Sequence, residues 1–132
     1  MVKLNLEILP ETYAICRLLP TEAIPNWATK DVYYSITKTP DELSIVCAEE
    51  NVPQNIKADR GWRCLKVRGP LAFNLTGIMA SLAVPLAQAD ISLFALSTYD
   101  TDYLLLKSDH LTKAKWVLSA AGHCLMESPT AE

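Results

Sequence analysis

The 132-residue sequence predicts an α+β fold of two related modules in tandem, each a small antiparallel sheet covered by helices. Three observations predict it. The first third is a series of short, alternating apolar runs separated by Pro and Asn breakers. The second half has the order β-α-β-β-α, with helices marked by apolar residues at three- and four-residue spacing. A faint internal echo joins the halves: Leu43-Ser44-Ile45-Val46-Cys47-Ala48 matches Ile91-Ser92-Leu93-Phe94-Ala95-Leu96 in polarity, and each run enters a polar loop.

In order along the chain, Lys3–Leu9 alternates and Tyr13–Leu19 is mostly apolar. Asp31–Thr37 carries Val32, Tyr34 and Ile36 on one face, so a meander opens the fold. Thr21–Ala28 has room for one helical turn, and Pro25 limits it to that. After the turn residues Thr39-Pro40-Asp41, Leu43–Cys47 is a further strand that drops into Glu49-Glu50-Asn51. Pro53–Gly61 is the one long polar segment and reads as a linker, dividing the chain into modules at 1–58 and 59–132. Trp62–Arg68 then makes a central strand.

Thr76 is placed to cap a helix in which Ile78, Leu82 and Leu86 recur every fourth residue, with Met79, Ala83 and Ala89 on the same side. Pro85 removes a backbone donor inside it, predicting a kink or a broken last turn. Ile91–Leu96 and Tyr103–Leu106 form a hairpin through the polar connection Ser97–Asp102. Ser108 or Asp109 caps the last helix, where Leu111, Ala114, Leu118 and Ala121 follow helical spacing beside Val117, and Gly122 stops it.

Composition narrows the function. Half of the residues are hydrophobic and 20% are charged, enough apolar material for a sizeable core. With 12 Lys+Arg against 15 Asp+Glu and a net charge of -3, no basic field offers itself to phosphates, so nucleic acid is not expected as a partner. The alternating N-terminus lacks the apolar core of a signal peptide. Gly69–Ala89 is uncharged and about as long as a membrane span, but Pro70, Asn74, Gly77, Ser81, Pro85 and Gln88 interrupt it, which argues for a buried loop and helix and against a membrane role. Cys16, Cys47 and Cys64 lie in apolar runs and Cys124 stands apart. None forms a C-x-x-C pair, so the expectation is reduced thiols in the cytoplasm. No metal-ligand spacing joins them to His110 or His123, and neither a metal nor a cofactor is expected.

The densest polar cluster is Ser97-Thr98-Tyr99-Asp100-Thr101-Asp102. On an extended backbone Asp100 and Asp102 project to one side beside the hydroxyls. As a plain turn the segment is solvated; as a ligand lip it offers Asp102 as counter-ion to an amino group. The loop Phe73-Asn74-Leu75-Thr76-Gly77 leads into a helix N-terminus at Ile78, whose backbone N–H groups and dipole favour a carboxylate or phosphate. It is no nucleotide-binding glycine pattern. Ser44 and the backbone of Ile45 and Val46 complete the candidate set, with the seam between the two modules as the ligand site. Catalysis lacks parts: there is no G-x-S-x-G elbow, no partnered nucleophile, and His110 and His123 read as surface or capping residues.

Leu43–Cys47 with Glu49-Glu50, Trp62–Gly69, Thr76-Gly77-Ile78, Pro85-Leu86-Ala87 and above all Ile91–Tyr103 with its Ser-Thr-Tyr-x-Thr-Asp-Tyr run resemble the small bacterial tandem ACT-domain proteins. These are similar to the ACT modules of aspartate kinases and of the eukaryotic cytosolic arginine sensors. The likeness spans roughly Leu43 to His123, with the first forty residues a divergent ACT-like module. It implies a ferredoxin-like βαββαβ fold in tandem, a regulatory role without catalysis, a homodimer, and an amino acid or similar small zwitterion bound where two modules meet. Carried over by position, Asn74, Leu75, Thr76, Gly77 and Ile78 hold the effector's main-chain groups. Ser97, Thr98, Tyr99, Asp100 and Asp102 close over it, and Ser44, Ile45 and Val46 contribute from the partner module. The arginine sensors carry acidic residues before the glycine where this chain has Asn74-Leu75-Thr76, which points to a smaller or neutral amino acid. The rival reading is a ligand-free protein-interaction module.

Overall fold

A computed structural model describes residues 2–69 and 76–128. The chain packs as two compact units: Glu11–Trp62, and Met1–Pro10 together with Arg63–Glu132. The first ten residues, which the sequence division places in the first module, therefore belong to the unit that holds the second half. The reason lies in one long strand, β1 (Asn5–Leu18), which serves one unit with its first part and the other with its second. The sequence suggests two strands broken at Pro10. The ladder along one edge, however, covers Asn5–Ile8 and Tyr13–Leu18 and skips the residues between, so the missing N–H of Pro10 falls where that edge has no partner to satisfy.

In the N-terminal unit, β2 (Ser35–Lys38) and β1 flank β3 (Leu43–Ala48), both antiparallel to it, and β1 is followed in the sheet by the start of β4 (Ala58–Val67). Alternate residues from these strands, Ala14, Cys16 and Leu18 with Leu43, Ile45 and Cys47, close over Ala28 and Val52 as one apolar core. Two expectations fail here. Strand β2 starts only at Ser35: Val32 is 85% exposed and Tyr34 is exposed, while Tyr33 packs edge-on against Tyr13 with ring centroids 5.6 Å apart. The anticipated linker is half strand, because Arg60 Nη2 donates to the Pro53 carbonyl at 2.9 Å and the Gly61 N–H donates to Glu49 Oε1 at 2.7 Å, giving a polar sequence an ordered place. The single helical turn lies at Asn26–Thr29 and is 3₁₀.

The C-terminal unit follows the order β4, α1 (Ile78–Gln88), β5 (Phe94–Ser97), β6 (Asp102–Lys107), α2 (Leu111–Ala120), β7 (Cys124–Glu127), which is the βαββαβ sequence of a ferredoxin-like fold. The first part of β1 enters the sheet between β7, to which it runs parallel, and β4, giving the order β7-β1-β4-β6-β5. Strand residues Leu6, Ile8, Leu65, Val67, Leu104 and Leu106, spaced by two, meet Ile78, Leu82 and Leu86 of α1 and Ala114 and Leu118 of α2. Each large side chain buried there contributes about 1.5 to 3 kcal/mol.

The helix ends depart from expectation. Thr76 does not cap α1; the N-cap is Gly77, whose φ of 78° is left-handed and suits a residue without Cβ. Neither Ser108 nor Asp109 caps α2, which is entered instead through a 3₁₀ turn, Ser108–His110. Gly122, at φ 99°, ends α2 as predicted. Helix α1 continues through Pro85 to Gln88. Proline at 85 has no N–H for the Ser81 carbonyl, and His123 supplies the donor, its Nε2 lying 2.9 Å from that oxygen. The Leu4 N–H donates to His123 Nδ1 at 3.0 Å, so Nδ1 is unprotonated and the proton sits on Nε2. His123 is only 4% exposed, which overturns its assignment as a surface or capping residue.

Candidate functional site

The turn between β5 and β6 is built by its own hydroxyls. The Thr98 N–H donates to the Thr101 carbonyl at 2.8 Å, the Thr101 N–H donates to Thr98 Oγ1 at 3.3 Å, and Ser97 Oγ donates to Asp102 Oδ1 at 2.7 Å. Asp102 opens β6 and is half-buried, with one carboxylate oxygen engaged by Ser97. Asp100 sits in the turn itself, exposed, so the extended backbone that would align it with Asp102 is interrupted there. Tyr99 is also exposed at the tip.

Thr101 is buried, and its Oγ1 donates to the Val67 carbonyl at 2.7 Å. This bond ties the hairpin turn to the last residue of β4, from which the chain leaves toward α1. Replacing Thr101 with valine keeps the shape and removes the donor, so Val67 O loses its partner. Urea unfolding of Thr101→Val is expected to show a loss of about 1 to 2 kcal/mol, while an unchanged midpoint would mean the turn does not depend on this bond. The residue was visible in the sequence as one more turn hydroxyl; only burial distinguishes it from Thr98.

Of the helix-leading loop, Asn74 and Leu75 lie outside the described residues. Thr76 and Gly77 are exposed, and Ile78 is buried in the apolar core. No side chain caps α1 and no acidic residue stands in its first turn, which leaves the positive end of the helix dipole uncompensated by protein groups among the described residues. Ser44, Ile45 and Val46 lie on β3 in the N-terminal unit. Register pairs them with Arg17, Cys16 and Ile15 on one side and with Thr37, Ile36 and Ser35 on the other. Ile45 and Val46 are buried; Ser44 is half-exposed.

Three thiols are buried, in line with their apolar runs, and Cys124 is exposed. Cys16 and Cys47 face the same core from neighbouring strands. A hydrogen bond from Cys47 holds the Cys16 thiol below its ordinary range against the effect of burial, and the same bond, with burial, pushes Cys47 up. Burial raises Cys64 to about 12. Among the described residues no three His, Cys, Asp or Glu side chains gather as a metal site, and no helix is long and apolar enough to cross a membrane.

Comparison with known proteins agrees with the fold. The ACT domain family matches residues 57–120, and a family described as an N-terminal domain matches residues 11–55. The crystal structure of protein Atu0741 from Agobacterium tumefaciens is 43% identical, with a TM-score of 0.93 over 100% of this chain and 98% of that one. A structure of aspartokinase alpha and beta subunits, 14% identical, shares the fold with a TM-score of 0.62 over 91% of this chain and 98% of that one. The human cytosolic arginine sensor for mTORC1 subunit 1 is 45% identical over 49 residues, 36% of this chain and 15% of the sensor. The chain spans less than two thirds of the length of the curated relatives it matches.

Proposed function

The chain belongs to the ACT-domain family, and from that premise we propose that it is a non-catalytic regulatory protein of the cytoplasm that binds a free amino acid or similar small zwitterion. The observation that carries the proposal is the entry to α1. Gly77 in a left-handed conformation opens a helix without a side-chain cap, so a ligand carboxylate can approach the first-turn N–H groups closely and meet the positive end of the dipole. Asp102, in the same unit, is the counter-ion for the ligand's ammonium group. Ser97 holds one of its oxygens and orients the other toward the ligand. Backbone groups of residues 74 to 78 read the main chain of the effector, and Ser97 to Asp102 close over it. The kinship with an arginine sensor supports an amino acid as the effector class, and the neutral Asn74-Leu75-Thr76 supports an effector with a small or uncharged side chain.

Thermal unfolding in the presence of each of the twenty amino acids tests this. A ligand at about 100 times its dissociation constant adds roughly 2.7 kcal/mol, which moves the midpoint of a domain of this size by several degrees. One amino acid is expected to produce that shift with the wild-type chain, and Asp102→Asn is expected to abolish it while leaving the unliganded midpoint within about a degree. No shift with any amino acid at millimolar concentration would sink amino-acid binding.

A further inference from the structure

The core of the N-terminal unit holds two thiols side by side. On the antiparallel ladder of β1 and β3, Cys16 stands opposite Ile45 and Cys47 opposite Ala14, which makes the cysteines diagonal neighbours on one face of the sheet. Both side chains enter the same apolar core, each 1% exposed, and the Cys47 thiol donates a hydrogen bond to Cys16. Sulfurs already in contact need only a small adjustment of the two strands to reach bonding distance. Cys64 and Cys124 belong to the other unit. We propose that Cys16 and Cys47 are a redox pair, joined as a disulfide by hydrogen peroxide and returned to thiols by a thiol reductant.

The two sulfurs are unequal, which divides the chemistry between them. The hydrogen bond from Cys47, aided by the charge of Arg60 and opposed by burial, holds Cys16 below its ordinary range, so Cys16 is the sulfur with thiolate character. The same bond, with burial, pushes Cys47 up, so Cys47 keeps its proton. In the first step the Cys16 thiolate attacks one peroxide oxygen and the O–O bond breaks. Cys16 becomes a sulfenic acid, and the departing hydroxide takes up the proton that Cys16 had released. In the second step the Cys47 sulfur attacks the Cys16 sulfur, the S–O bond breaks, and the hydroxide leaves as water with the Cys47 proton. Two thiols lose two electrons to one peroxide, giving one disulfide and two waters. Access comes through the cover over the pair. Two α-helices close the C-terminal core, whereas this one lies under the 3₁₀ turn Asn26–Thr29, Val52 and Ile56. That cover is held by single-turn bonds, from the Ala28 N–H to the Pro25 carbonyl and from the Ile56 N–H to the Pro53 carbonyl, and such segments open locally at low cost. The disulfide closes the loop between residues 16 and 47 and fastens β1 to β3, the strand that carries Ser44, Ile45 and Val46.

Peptide mapping by mass spectrometry tests this on the full folded chain, exposed to a slight excess of hydrogen peroxide, quenched with catalase and alkylated in denaturant. The expected product links the peptides that hold Cys16 and Cys47, is lighter than the reduced pair by two hydrogen atoms and is reversed by dithiothreitol. The linked chain is expected to unfold several degrees higher than the reduced one, because the bond closes a long loop. Cys47→Ser keeps a hydrogen-bond donor and lacks the second sulfur, so the sulfenic acid on Cys16 is expected to persist and be trapped by dimedone. Should that variant fail to fold, the mapping of the wild type decides alone. Recovery of Cys16 and Cys47 as alkylated thiols after peroxide treatment would overturn the proposal, and so would links distributed among all four cysteines.

Discussion

Replacing His123 with alanine is expected to destabilise the protein by about 3 kcal/mol, a large effect for a residue outside any apolar cluster. The imidazole bridges two backbone groups, one from a helix and one from the approach to the first strand. The Ser81 carbonyl has lost its helical donor to Pro85, and the Leu4 N–H lies at the start of the first strand, 119 residues from its acceptor. Both are buried, so removing the ring strands a donor and an acceptor together, each costing about 1 to 3 kcal/mol when unpaired. The physical account makes a second, sharper prediction. In a Pro85→Ala background residue 85 regains an N–H aimed at Ser81, and the alanine substitution at 123 should then cost about 1 kcal/mol less. Urea unfolding of the four proteins in this double-mutant cycle measures the coupling. Additive effects of the two substitutions would show that the histidine does not compensate for the proline.

The second large effect is alkaline. Burial raises the Cys64 thiol from 9.0 to about 12, with a hydrogen bond from the Leu104 backbone pulling it partway back. The folded state therefore holds this proton more tightly than the unfolded chain does. Below pH 9 the thiol is protonated in both states and the folded protein keeps its full stability. Between pH 9 and about 12 the unfolded chain loses the proton first, and stability falls with rising pH by about 4 kcal/mol across the interval. The quantity that isolates this thiol is the difference in unfolding free energy between wild type and Cys64→Ala. Wild type is expected to be the more stable at pH 8, with the gap shrinking steadily above pH 9. A gap independent of pH would mean that the thiolate is accommodated in the folded chain.

Legibility from sequence was uneven for identifiable reasons. Ile78, Leu82 and Leu86 announced α1 because a helix repeats its buried face at a short, fixed spacing. The β5–β6 hairpin was readable because Ser, Thr and Asp are the residues a turn uses for its own bonds, as Thr98 and Ser97 do. Val32 and Tyr34 misled because their alternation suits a strand, yet the pairing of β2 with β3 stops at Ser35 opposite Val46 and both side chains are exposed. Thr76 misled because Gly77, one residue on, reaches the left-handed conformation at the helix entry without cost. Strand β7 had no local signature. Cys124–Glu127 becomes a strand because Asn5–Ile8 offers it a parallel edge.

The sequence by itself determined the α+β class, the buried faces of both helices, the place of the polar hairpin and the kinship with ACT domains. Each of these is a local pattern, expressed within a run of ten or twenty residues. Tertiary structure alone decided that β1 divides its length between two units, that His123 is interior and completes the hydrogen bonding of a proline-containing helix, and that Thr101 rather than Thr98 is the buried anchor of the turn. The first depends on strand pairing with both β3 and β7, and the other two on hydrogen bonds between groups 34, 42 and 119 residues apart. A backbone group removed from water must find a partner wherever the fold brings one, and no neighbouring residue records which one that is.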